Sequence, residues 1–196
     1  MNGRRLFLSL TAVYLAVCLY YRQAAALLPV ILLPILVHEL SHVLALRLLG
    51  LRITGLTLEA GGLCIRYTGA CSPAGQILAA LAGPLGGAAY ALTGLSAVPW
   101  LQKSAQLSLL LTAFNLLPLL PLDGGRVFQQ LCILALGEER GRMLCRSVSN
   151  ALLFLLLTGG VTLALWKKST APLAAAIWLL LFQNEEEALV KSGKII

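Results

Sequence analysis

The chain has 196 residues, of which 59% are hydrophobic and 12% charged, with a formal net charge of +7 and a mean hydropathy of +0.86. A water-soluble domain of this length has no use for so much apolar surface, so the composition excludes a soluble globular protein and indicates an integral membrane protein. The positive charge needs no nucleic acid as a partner, because basic loops contact anionic lipid and set membrane orientation.

Taken in chain order, the first apolar segment is Leu6–Tyr21, preceded by Arg4-Arg5. With Ala24-Ala25-Ala26 after it, this stretch shares features with a signal peptide. Its length and the interfacial Tyr20-Tyr21 favour a retained span. The second span is Ala24–Leu49, the third about Ala74–Trp100 and the fourth about Ser104–Leu120; Pro121–Leu136 follows as a partly apolar helix. Val148–Trp166 is the fifth and Ala171–Phe182 a short sixth. Between the second and third spans, Leu51–Thr68 alternates apolar and polar residues around Ala60-Gly61-Gly62, the pattern of a short β-hairpin. The expected fold is an all-α polytopic membrane protein of about six transmembrane helices with a short membrane-associated hairpin. Residues 1–183 are expected to form a single domain and 184–196 a short cytoplasmic tail.

Six spans with the N-terminus inside place eleven of the fifteen Lys and Arg on the inner side and four on the outer. That bias puts both termini in the cytoplasm of a multi-pass cell-membrane protein. The second span then runs inward, with its C-terminal half toward the cytoplasm.

That half carries His38-Glu39-Leu40-Ser41-His42, and the run Ala24–Leu46 holds no other charged or titratable residue. Ionisable groups at membrane depth are costly and mark function. The pattern is H-E-x-x-H, the zinc metalloprotease signature, whose chance occurrence with two His and seven Glu in 196 positions is on the order of one in a thousand. Positions i and i+4 lie ~6 Å apart along a helix and ~40° around it, so His38 and His42 can ligate one metal ion. Glu39 sits beside the first ligand, placed to take a proton from a metal-bound water as that water attacks a carbonyl carbon.

A catalytic zinc site commonly takes three protein ligands. The chain's single aspartate, Asp123, lies in Asn115-Leu-Leu-Pro118-Leu-Leu-Pro121-Leu-Asp123-Gly124-Gly125 at the inner end of the fourth span. Asp123 either caps the helix that follows or supplies the third ligand, and the shared membrane side favours the ligand. Asn115, a polar group at the same depth, either joins two helices or holds substrate backbone. Gly83-Pro84-Leu-Gly86-Gly87 reads as a close-packing and kink signal. The five cysteines are odd in number and form no C-x-x-C pair, so free thiols are expected.

At these two motifs the sequence resembles the site-2 proteases, intramembrane zinc metalloproteases of the peptidase M50 type. His38-Glu39-Leu-Ser-His42 looks like their H-E-x-x-H, and the segment Asn115 to Gly124 looks like their N-x-x-P-x-x-P-x-D-G, whose aspartate is the third ligand. In size and layout the chain is similar to the compact bacterial branch that includes a sporulation protease acting on a pro-sigma factor. The resemblance implies one zinc ion per chain, held by His38, His42 and Asp123, with Glu39 as general base. It implies a zinc metalloendopeptidase cleaving transmembrane or membrane-associated proteins in regulated intramembrane proteolysis, with the bilayer and a regulatory membrane protein as further partners. Asn115 and the hairpin at Gly61 and Gly62 are the expected substrate-binding positions, an edge strand there capturing an unwound substrate. Only fourteen residues follow Phe182, so no CBS domain is expected, and the chain leaves no room for the PDZ insertions of other branches.

Two other classes compete with this reading. Two His and a carboxylate also form the facial triad of non-haem iron enzymes, although that site needs no adjacent base such as Glu39. A catalytically silent scaffold or a metal transporter would show a lost Glu39, or inverted repeats and several intramembrane carboxylates, and the sequence has neither feature.

Overall fold

The computed structural model describes residues 28–59, 62–167, 176, 177, 179 and 180. These are mostly helical, with one two-stranded sheet. Helix α1 (Leu28–Leu48) leads into strands β1 (Arg52–Glu59) and β2 (Gly62–Thr68), then α2 (Pro73–Ala91) and a 3-10 turn (Leu92–Leu95). Helices α3 (Pro99–Asn115), α4 (Asp123–Leu136) and α5 (Glu138–Lys167) follow. The described residues fall into two compact units, one of residues up to 70 with 82–114, the other of 71–81 with 115 onward.

Within the first unit, α1 shows how one apolar helix acquires two faces. Leu32, Leu36, Leu40, Leu44 and Leu48 recur every fourth residue and are exposed, whereas Val30, Pro34, His38 and Leu46 are buried. In a bilayer the leucine stripe is the natural lipid face, because leucine loses nothing by facing acyl chains. The helix stops at Gly50, whose φ of 77° suits glycine. Leu51 N–H donates to Leu46 C=O at 3.0 Å and Gly50 N–H to Arg47 C=O at 3.0 Å, the paired bonds of a Schellman stop. Arg47 in the last turn complements the helix dipole. β1 then pairs antiparallel with β2, with a bulge between Ile53 and Gly55.

Pro34 leaves a backbone problem that the sequence of α3 solves. A proline has no N–H, so the Val30 carbonyl one turn earlier has no helical donor. Ser104 Oγ donates to Val30 C=O at 3.0 Å and also meets Tyr90 Oη at 2.9 Å. Ser108 Oγ repeats the pattern, donating to Gly87 C=O at 2.7 Å, and Thr112 Oγ1 reaches Pro84 C=O at 3.5 Å. Spaced four apart on α3, these buried hydroxyls join it to α1 and to the later part of α2 where apolar burial cannot drive association. Ser104→Ala orphans the Val30 carbonyl and is expected to cost about 1–2 kcal/mol, read as a lowered thermal midpoint in detergent.

In the second unit, Ser72 Oγ caps α2 by accepting from Gly75 N–H at 3.1 Å, and Pro73 takes the first helical position. Gln130 Nε2 of α4 donates to Gln76 Oε1 at 2.7 Å. Gly137, at φ 82°, ends α4. A Cβ on Gly141 would come within 2.6 Å of the Ile133 backbone, so only glycine lets α4 and α5 approach this closely.

Among the described residues, Leu28–Leu48, Pro73–Leu95 and Glu138–Trp166 are long and apolar enough to cross a membrane. The expected span Leu6–Tyr21, the tail 184–196 and all but four residues of 171–182 lie outside the described residues. The fourth expected span is a 17-residue helix, about 25 Å long, that stops at Asn115 rather than at Leu120. The third is shorter than Ala74–Trp100: Pro99 begins a new helix, so Trp100 belongs to α3. The helix expected from Pro121 starts at Asp123, because Leu122 is extended. Conversely, α5 begins ten residues before Val148. Its first turn carries Glu138 and Glu139 at the positive end of the dipole, and Arg142 pairs with Glu138 at 2.8 Å. The expected hairpin Leu51–Thr68 is β1 and β2.

Candidate metal centre

Helix α1 supplies two imidazoles on its buried side. His38 is 8% exposed and His42 is half-buried, one turn further on. Their Nε2 atoms are 3.3 Å apart and the rings meet edge to face, with centroids 4.9 Å apart. Two nitrogens bound to one zinc at ~2.0–2.1 Å and tetrahedral angles would stand about 3.3 Å apart, so the pair matches one edge of a zinc polyhedron. Glu39, also half-buried, lies on the adjoining face of the helix. Between them, Ser41 spends its hydroxyl on Val37 C=O at 2.7 Å.

The two rings rest against a glycine surface of α2. A Cβ on Gly83 would overlap His42 Nε2 and come within 2.8 Å of His38 Cε1. One on Gly86 would overlap Ser41 Oγ, and one on Gly87 would come within 2.5 Å of Thr112 Oγ1. These contacts, and the hydroxyls of Ser104, Ser108 and Thr112, were not assigned to the site by sequence reasoning. Gly83-Pro84-Leu-Gly86-Gly87 signals close packing but does not say against what.

The second unit holds the remaining expected ligand. Asp123 is 8% exposed and is the first residue of α4. It is not the cap: that position belongs to Leu122, which makes no side-chain capping bond. Ahead of it, Leu116–Leu122 is irregular, with Leu120 N–H donating to Ser149 Oγ at 3.3 Å. A Cβ on Gly124 would come within 2.6 Å of the Leu117 carbonyl, and one on Gly125 within 2.6 Å of the Leu119 carbonyl. Glycine at both positions therefore lets this loop fold onto the start of α4 and fixes where Asp123 emerges.

The substrate positions are less compact. Asn115 is the half-buried last residue of α3. Gly62 opens β2 opposite Glu59, and Gly61 lies outside the described residues. Cys71 and Cys132 are free thiols, and Cys145 Sγ donates to Gly125 C=O at 3.8 Å.

Residues 10–137 match the family model described as Peptidase M50B-like. Among solved structures, the chain is similar to the site-2 protease from Methanocaldococcus jannaschii, with a TM-score of 0.68 and 19% identity. The match covers 92% of this chain and 86% of that one; at this identity the likeness is one of fold. No curated protein matches the chain.

Proposed function

Because the chain belongs to the Peptidase M50B-like family of site-2 proteases, we propose that it is an intramembrane zinc metalloendopeptidase acting on transmembrane or membrane-associated proteins. The observation that carries this reading is the 3.3 Å approach of the His38 and His42 Nε2 atoms, at the donor spacing zinc requires. His38, His42 and Asp123 would hold one zinc ion per chain, a donor set of two imidazoles and a carboxylate. Zinc supplies a Lewis acid that polarises a peptide carbonyl and makes water acidic enough to lose a proton near neutral pH.

The protein's own groups do the rest. Glu39 is a base and not a ligand: it takes the proton from the attacking water and returns it to the leaving amine. Asn115 binds the carbonyl of the substrate, and the hairpin at Gly61 and Gly62 holds an extended strand of it. Extension matters because a helical substrate keeps its carbonyls in internal hydrogen bonds, closed to attack until the helix opens. Residues 1–183 act as one protease domain in the cell membrane, crossing it about six times with both termini and the active site toward the cytoplasm. Cleavage then releases a cytoplasmic fragment, such as a transcription-factor precursor made active by release, under the control of a regulatory membrane protein.

Metal analysis of detergent-purified protein tests the core of this reading without a known substrate. About one zinc per chain is expected. Iron in its place would move the protein to oxidative chemistry, and no bound metal would make it a silent scaffold.

A further inference from the structure

The glycine surface beneath the two imidazoles holds a role that family membership does not assign. Gly86 faces Ser41, and Gly87 faces Thr112 and Ser108 with only ordinary contact to His38 Nδ1 at 3.9 Å, but Gly83 meets ring atoms of both histidines at overlapping range. A Cβ there would overlap His42 Nε2 and lie 2.6 Å from His42 Cε1 and 2.8 Å from His38 Cε1. Real carbon atoms do not approach this closely, so any side chain at position 83 evicts the rings from the places where their Nε2 atoms converge.

We infer that Gly83 is a positioning residue: the missing side chain on α2 is the seat that sets how His38 and His42 converge. The inference rests on the metal-site reading of those two residues and adds the element that tunes it. Its physical signature differs from that of ordinary helix packing. The atoms a methyl group at 83 would strike are the far ends of histidine side chains, which can swing away while the helices stay in place. At Gly86 the Ser41 Cβ, 2.7 Å from the added carbon, is fixed to the α1 backbone and cannot yield. Substitution at 83 therefore disturbs the imidazole pair more than the fold, and substitution at 86 does the reverse.

The chain has only two histidines, so histidine-selective nitrogen labelling reports on this pair alone. In metal-free protein, Gly83→Ala is expected to shift the ring-nitrogen resonances of both residues while the thermal midpoint stays within a few degrees of wild type. Gly86→Ala is expected to lower the midpoint and leave those resonances in place. Zinc affinity by chelator competition should fall about 10–100-fold in Gly83→Ala, the loss typical when the groups that orient metal ligands are disturbed. Unshifted resonances in Gly83→Ala, or equal losses of affinity in both variants, would overturn the inference. A wild type that binds no zinc would sink the protease reading, while the resonance comparison would still decide the seating of the rings. Should Gly83→Ala fail to fold, adding His42→Ala must restore folding, and failure to do so equally rejects the seat.

Discussion

Glu39→Gln is expected to lower peptide-bond cleavage by about 10²–10⁴-fold, the worth of a positioned general base, and to leave about one zinc per chain in place. The two halves of this result come from one geometric fact. Glu39 is next in sequence to His38, so on α1 it projects about 100° away from the first imidazole, onto the adjoining face. Glutamine fills the same volume and keeps a hydrogen-bonding head, so neither the packing of α1 nor the histidine pair is touched. What goes is the capacity to accept a proton. Because the substrate is unknown, the measurement is a comparison of new protein N-termini in membranes of cells carrying wild-type or Glu39→Gln protein. Termini common to both would mean that cleavage does not use this base, and loss of zinc in the variant would mean that Glu39 is a ligand.

Asp123→Asn is expected to weaken zinc binding by more than about 100-fold, beyond the range for disturbing an orienting group, and to abolish cleavage as a consequence. A neutral amide is a poor ligand for zinc beside two neutral imidazoles, because the carboxylate supplies the only negative charge of the set. The change is nearly isosteric, and Leu122 rather than Asp123 occupies the helix cap. Stability of the metal-free variant should therefore fall by no more than about 1 kcal/mol, the worth of a first-turn carboxylate on the helix dipole, separating a lost ligand from a damaged helix. Full zinc occupancy in Asp123→Asn would place the third ligand elsewhere.

What could be read from the amino-acid order, and what could not, divides along a physical line. His38 and His42 are legible because their relation is local: a helix and a spacing of four suffice to bring two nitrogens together. The hairpin is legible for the same reason, its alternation from Leu51 to Thr68 being a property of adjacent residues. The boundaries that moved are those where hydropathy and backbone geometry part company. Leucines run on through Leu92 and Leu95, hiding the turn before Pro99, while Glu138, Arg140 and Arg142 disguise the first three turns of α5 as a loop. Gly83 was legible only as small. That it faces two ring edges depends on how α1 and α2 cross, which neither segment encodes alone.

His42 stands six residues before the end of α1 at Leu48, and His38 ten. At 1.5 Å per residue the pair sits roughly 9–15 Å from that end of the helix. Under the proposed protease function, with the end of α1 taken as the membrane border, this depth is a ruler. An extended polypeptide advancing ~3.3 Å per residue covers it in about three to five residues, so the severed bond would fall within a few residues of that border. A fragment leaving on that side would carry away only a stub of its former apolar anchor, too short to hold it at the lipid surface.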